Sequence, residues 1–349
     1  MGRQIPVAAR LALLGLGAVG SVAAGAAVGV FTERRLVGRR FDLLSSPYGT
    51  LSGEEAGVIA DDNVYIHAEV DEPVQPSDVT VIFCHGYALN LHSWHFQRLA
   101  LRPHARLVFW DQRSHGRSQR SGAAPTIDEL GEDLRCVMDN LAPTGHIVLV
   151  GHSMGGMTIM ALAARYPELF GTRVTGVALL ATTAGGISDI SFGLPTPIGK
   201  LLHRWAPTFA GALAKRPALV ESGRRSGSDL GLILTQLFSF GNPRVNPGLT
   251  AFVAEMIDST PVEVIASFLP ALERHDKVEA LSALERVETL VMVGDSDLLI
   301  PESHSHEIVR RLPGAEFVVL QSAGHMLTLE RHEEVDAHLL ALLERARGA

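Results

Sequence analysis

Two periodicities alternate along most of this chain. Short apolar runs of strand length, most of them closed by glycine, histidine or aspartate, are separated by stretches whose apolar residues recur at helical spacing. Val79–Cys84 is one such run and ends at His85-Gly86. Leu107–Trp110 ends at Asp111, and His146–Val150 ends at Gly151. Val174–Leu180, Thr289–Val293 before Gly294, and Glu316–Leu320 before Gly324-His325 complete the set. Continuous apolar runs of this length predict strands buried on both faces, as in a parallel sheet. Ile127–Leu141 predicts a helix, with Thr126 as its N-cap and Asp128 and Glu129 in the first turn. A second helix is expected from Gly156 to Tyr166. Upstream, Gly57–Ala60, an Asp-Asp-Asn turn and the alternating run Val64–Val70 read as two short antiparallel strands. The expected fold is α/β, a mostly parallel sheet covered by helices on both faces.

The alternation breaks between about 184 and 281. Proline, glycine and large apolar residues dominate there, with helix-like runs at Leu230–Phe240 and Leu249–Ile257 and a polar loop at Ser222–Ser228. This reads as a helical insertion between two core strands. The expected organisation is an N-terminal apolar segment with basic flank (1–40), a first core segment (57–183), a helical lid (184–281) and a second core segment (282–349).

Leu11–Phe31 is 21 residues without a charge, long enough to span a bilayer, although eleven are Gly or Ala. Arg3 and Arg10 precede it, and Arg34, Arg35, Arg39 and Arg40 follow. That basic flank favours a retained anchor with the following domain cytoplasmic; a cleaved export signal and a helix packed on that domain are the alternatives. Gly15-Leu-Gly-Ala-Val-Gly20 matches the dinucleotide fingerprint G-x-G-x-x-G. A fingerprint requires further βαβ units, and the Pro/Gly/acid-rich stretch from Ser46 to Gly57 leaves no room for them, so no nucleotide cofactor is expected.

A net charge of −8, dispersed along the chain, argues against a nucleic-acid partner or a polybasic membrane surface. The two cysteines, Cys84 and Cys136, fall on a predicted strand and helix and read as core residues. The 15 histidines are scattered, none at zinc-ligand spacing, so no metal is expected.

The chemistry concentrates at Gly151-His-Ser-Met-Gly155. G-x-S-x-G between a strand and a helix is the nucleophile elbow, which holds a serine hydroxyl at the sheet edge in strained backbone. With His85-Gly86-Tyr87 after the third strand, Asp111–Ser118 after the fourth, Gly294-x-x-Asp297 after the seventh and Gly324-His325 after the eighth, the chain from about residue 57 resembles the α/β-hydrolase superfamily. The resemblance implies a serine hydrolase. Ser153 is the expected nucleophile, His325 its base and Asp297 the orienting acid, with Asp295 as the rival that family spacing disfavours. The backbone N–H groups of Tyr87 and Met154 are the expected oxyanion hole. A serine at 153 excludes the aspartate-nucleophile branches.

Asp111, Arg113 and His115 are more often braces than catalysts in this family. Its usual run there is Arg-Gly-His-Gly, and Ser114 departs from it. His304 and His306 read as exposed helix positions. Leu230–Phe240, Phe252 and Phe268 either line an acyl pocket or form the lid's own core. The expected substrate is a carboxylic ester with an apolar, lipid-like part. The same triad also fits cofactor-free haloperoxidase or perhydrolase chemistry, carbon–carbon bond hydrolysis or acyl transfer. A catalytically silent binding protein is the alternative of another class.

Overall fold

The computed structural model describes residues 48–74, 77–187 and 228–348. Eight strands form one sheet in the order β1-β2-β4-β3-β5-β6-β7-β8. They are β1 (Glu54–Ile59), β2 (Tyr65–Asp71), β3 (Val79–Cys84), β4 (Arg106–Trp110), β5 (His146–His152), β6 (Val174–Leu180), β7 (Glu288–Gly294) and β8 (Glu316–Leu320). β2 runs antiparallel to both β1 and β4, and every other pairing is parallel. The expected antiparallel pair is therefore present. The main helices of the described residues are α1 (His95–Leu101), α2 (Ile127–Leu141), α3 (Met154–Arg165), α4 (Ser228–Ser239), α5 (Pro247–Ser259), α6 (Val262–Glu273), α7 (Glu302–Arg311) and α8 (His332–Arg347).

The reasons are local. All six residues of β3 and all seven of β6 are buried, as strands covered on both faces must be. α2 starts where Thr126 and Glu129 make a reciprocal capping box, which satisfies two backbone donors at once. One apolar layer packs α2 and α3 residues such as Leu134 and Ile159 on one face of the sheet; Trp94, Leu101, Leu339 and Leu343 cover the other. β2 buries Glu69 and Asp71, and Arg98 from α1 pairs with both at 2.7 Å. Those buried carboxylates are tolerated because the guanidinium compensates them.

Register decides where the chemistry goes. Cys84 lies opposite Trp110 on one side and Gly151 on the other, and Gly294 lies opposite Leu320. The loops after β3, β4, β5, β7 and β8 thus leave the sheet at one edge, the carboxyl ends of the parallel strands, where open α/β sheets place ligands.

α4, α5 and α6 lie between β6 and β7, and the flanks of that insertion pack with the sheet: Ala184, Ala280 and Leu281 belong to the same apolar cluster as β5 and β6. Leu11–Phe31 and the Gly15–Gly20 pattern lie outside the described residues. Among the described residues, no helix is long and apolar enough to cross a membrane.

Candidate active site

The turn from β5 into α3 carries Ser153 at φ 52°, ψ −117°, a conformation that L residues rarely adopt. Packing compels it. A Cβ on Gly155 would sit 1.9 Å from the carbonyl oxygen of Cys84, and one on Gly151 would sit 2.6 Å from Gly155 backbone. Only glycine permits β3, β5 and α3 to approach so closely. The Ser153 N–H donates to the Leu180 carbonyl (2.9 Å), and the Thr182 hydroxyl donates to the Ser153 carbonyl (2.6 Å).

His325 follows β8 and Asp297 follows β7, as their positions in the chain required. The His325 Nδ1 and an Asp297 carboxylate oxygen lie 2.8 Å apart, and the Asp297 side chain is fully buried. The other carboxylate oxygen accepts the N–H groups of Leu299 (2.8 Å) and Ile300 (2.9 Å). With both oxygens committed, the ring carries its proton on Nδ1 and leaves Nε2 as a hydrogen-bond acceptor. Asp295 points elsewhere: it is exposed and accepts from the Ser296 hydroxyl.

One residue that sequence reasoning passed over joins these parts. His152 is fully enclosed, its Nε2 donates to the His325 carbonyl (2.9 Å), and its ring lies 4.9 Å from that of His325. Its Nδ1 faces the Gly86 backbone, where a Cβ would come within 2.8 Å. Burial depresses its pKa to about 3, so the ring stays neutral and the donor persists. The elbow, the His-Gly loop and the His325 turn therefore meet on one imidazole. A second network fixes the His-Gly loop. His85 Nε2 accepts the Gln112 N–H (2.9 Å), the Gln112 side-chain amide donates to the His85 carbonyl (2.5 Å), and Thr158 of α3 donates to Gln112 (2.6 Å). Nothing in the spacing of Gln112 or Thr158 marks them in the sequence.

Tyr87 is half-buried, and its hydroxyl donates to the Ile265 carbonyl in α6; burial pushes the phenol well above its usual range. Met154 is enclosed among Val264, Phe268 and Met157. Asp111 accepts the N–H groups of Leu91 and Arg117, and Arg113 forks onto Asp133 at 2.6 Å for both bonds. These are bracing contacts. Ser114 sits at φ 67°, the left-handed backbone that a glycine in the family's usual run would adopt without strain. His306 is exposed beside Glu302, and His304 bonds the Thr183 hydroxyl at 2.8 Å. Phe252 packs with Leu89, Phe240 and Met326, and Phe268 with Met154, so both belong to buried core.

The buried rings have a consequence for stability. Burial lowers His85 and His152 to about 3, and His115 and His275 to about 4. Unfolded, all four take up protons as the pH falls through about 6.5, whereas folded they remain neutral to about 4. Folding is thus penalised below about pH 6.5, where the unfolded chain binds more protons. Burial also lowers His92, His95 and His332, and acts in the opposite sense by raising Asp111, Asp133 and Asp336, the last two to about 6. The lowered histidines outnumber the raised carboxylates, so stability should fall between pH 7 and pH 5. Urea denaturation at pH 7 and pH 5 checks this; an equal midpoint at both would show that these rings are already protonated in the folded protein.

The sequence model for the alpha/beta hydrolase fold matches residues 79–332. Over 275 residues the chain is 28% identical to the dihydrolipoyllysine-residue acetyltransferase component of the acetoin cleaving system of Pseudomonas putida, a match over 76% of this chain that spans only 63% of that relative. It is 26% identical over 275 residues to a non-heme haloperoxidase of Rhodococcus erythropolis, covering 76% of this chain and 92% of the relative. Among solved structures, a thermophilic esterase from Thermogutta terrifontis, with malate bound, is similar at a TM-score of 0.66 and 25% identity, over 84% of this chain and 99% of the esterase. With most of the described sheet inside the matched region, the chain belongs to the alpha/beta hydrolase fold family and is a hydrolase.

Proposed function

We propose that this hydrolase cleaves carboxylic esters with an apolar acyl or alkyl part, through an acyl-enzyme on Ser153. The Ser153 hydroxyl attacks the ester carbonyl while His325 Nε2 accepts its proton. Asp297 holds the imidazole in the Nδ1–H tautomer and stabilises the imidazolium that forms. The N–H groups of Tyr87 and Met154 receive the developing oxyanion. His325 then protonates the departing alcohol, activates a water and returns the proton to Ser153 as the acid leaves. The observation that carries this reading is the buried 2.8 Å His325–Asp297 pair on a turn hydrogen-bonded, through His152, to the strained Ser153 elbow.

The helical insertion supports an apolar substrate. α4 leaves Leu234 and Leu237 exposed, and α4 ends against the His325 turn, where the Met326 N–H donates to the Ser239 carbonyl. We read these helices as the lid that selects the acyl chain. On a series of p-nitrophenyl esters of growing acyl length, kcat/KM should then rise by up to about fourfold per buried methylene before the pocket is filled. A rate that is highest for acetate and falls with every added carbon would remove the apolar-ester reading while leaving the serine chemistry intact.

A second reading has support in the haloperoxidase relative. The same triad can pass an acyl group to hydrogen peroxide instead of water. Peracid formation outrunning ester hydrolysis, with acetate and peroxide supplied together, would favour it.

A further inference from the structure

We propose that Glu330 is a positioning residue for His325, clamping the histidine's turn to the loop that closes α4. Glu330 ends the helical turn Leu327–Glu330, directly after His325. One of its carboxylate oxygens accepts the N–H of Gly324 (2.7 Å) and the N–H of Gly241 (3.0 Å). The other accepts the N–H of Asn242 (2.6 Å). Gly241 stands 89 residues away in the sequence, so the clamp is purely tertiary.

The two backbones it joins are in direct contact. A Cβ on Gly241 would fall 2.5 Å from the Ala323 carbonyl carbon and 2.7 Å from the Gly324 nitrogen. A Cβ on Gly324 would fall 2.5 Å from the Gly241 nitrogen. On the far side of the histidine, the Met326 N–H reaches the Ser239 carbonyl at 2.7 Å. His325 is therefore tied to residues 239–242 through both of its chain neighbours, and to the elbow through its own carbonyl. Three main-chain donors converging on one carboxylate form a compact, charge-assisted unit. Without it, the Met326–Ser239 hydrogen bond alone would remain of those that tie the chain neighbours of His325 to residues 239–242.

The consequence for chemistry follows from tolerance. A base displaced by about 1 Å from its proton donor costs on the order of 10²-fold in rate. Glu330 touches neither substrate nor reacting atoms; it acts through where His325 stands. This role rests on the reading of His325 as the base.

The test places Glu330→Ala and Glu330→Gln in the wild-type chain and in a His325→Ala background, with kcat and KM measured on a p-nitrophenyl ester and thermal unfolding recorded for each. The amide keeps one acceptor oxygen and can serve the Gly324–Gly241 pair or Asn242, but not both. In the wild type, Glu330→Ala should lower kcat by about 10- to 100-fold with KM little changed, and Glu330→Gln should fall between. In the His325→Ala background neither change should lower the residual rate by more than about twofold, as expected for two residues acting as one unit. Should Glu330→Ala not fold, Glu330→Gln decides alone. A lowered melting temperature with kcat intact overturns the proposal, and so does an equal loss in both backgrounds. If His325→Ala itself retains the wild-type rate, the base assignment has failed, and that arm shows it separately.

Discussion

Ser153→Ala and His325→Ala should each reduce kcat on an activated ester by about 10⁴- to 10⁶-fold, with a folded protein and a nearly unchanged KM. The size of the effect follows from what each group does. Without the hydroxyl no acyl-enzyme forms, and only the oxyanion donors and substrate binding still favour hydrolysis by water. Without the imidazole the serine must lose its proton unaided, and an unactivated hydroxyl is a poor nucleophile. The double variant should be about as slow as either single one, because the two groups contribute to one transition state. Circular dichroism and a melting curve would separate this from misfolding. Among the described residues the Ser153 side chain makes no capping hydrogen bond; the turn is held by its backbone contacts to Leu180 and Thr182. A loss of less than about tenfold in either variant would be incompatible with the proposed roles.

Asp297→Asn should lower kcat by about 10⁴-fold, whereas Asp295→Asn should leave it within about twofold. The contrast rests on geometry. One oxygen of Asp297 faces His325 Nδ1 at 2.8 Å, and the other already accepts the N–H groups of Leu299 and Ile300. Those two backbone donors will claim the oxygen of the substituted amide. Its NH2 then faces the ring, which must turn its lone pair toward that amide and carry the proton on Nε2, where it cannot act as base. Asp295, exposed beside Ser296, has no such contact. Collapse of Asp295→Asn with activity kept in Asp297→Asn would show that the acid had been assigned to the wrong carboxylate.

Much of this is legible in the sequence alone, for identifiable reasons. Val79–Cys84, Ile127–Leu141, Val174–Leu180 and Glu316–Leu320 begin and end where the apolar runs and the capping box placed them. In each, local preference and burial point the same way. β1 starts at Glu54 rather than Gly57, because an edge strand needs only a partner's backbone; Glu54 pairs opposite Val70 without an apolar side chain. α6 carries Pro270, which removes a hydrogen bond and hides the helix from a reading by propensity. Tertiary packing restores it, with Val264 and Phe268 buried against Met154 and Met157.

The triad candidates were legible because fold topology forces serine, acid and histidine into a fixed order along the chain. The residues that hold them were not. His152, Gln112 and Glu330 make hydrogen bonds across 173, 27 and 89 positions of sequence. No local pattern encodes such a partner; it exists only once the strand register has brought the loops to one edge. The substrate was illegible for a related reason. In the proposed reading specificity belongs to the insertion, whose buried aromatics Phe252 and Phe268 look in sequence the same as pocket-lining ones.

A nucleophilic Ser153 can be trapped covalently. The full-length protein is exposed briefly to a fluorophosphonate at neutral pH, and the adduct is located by mass spectrometry of its peptides. One adduct per chain is expected, on Ser153, formed far more slowly in His325→Ala and absent from Ser153→Ala. An unlabelled wild type, or equal labelling of the wild type and Ser153→Ala, would contradict it.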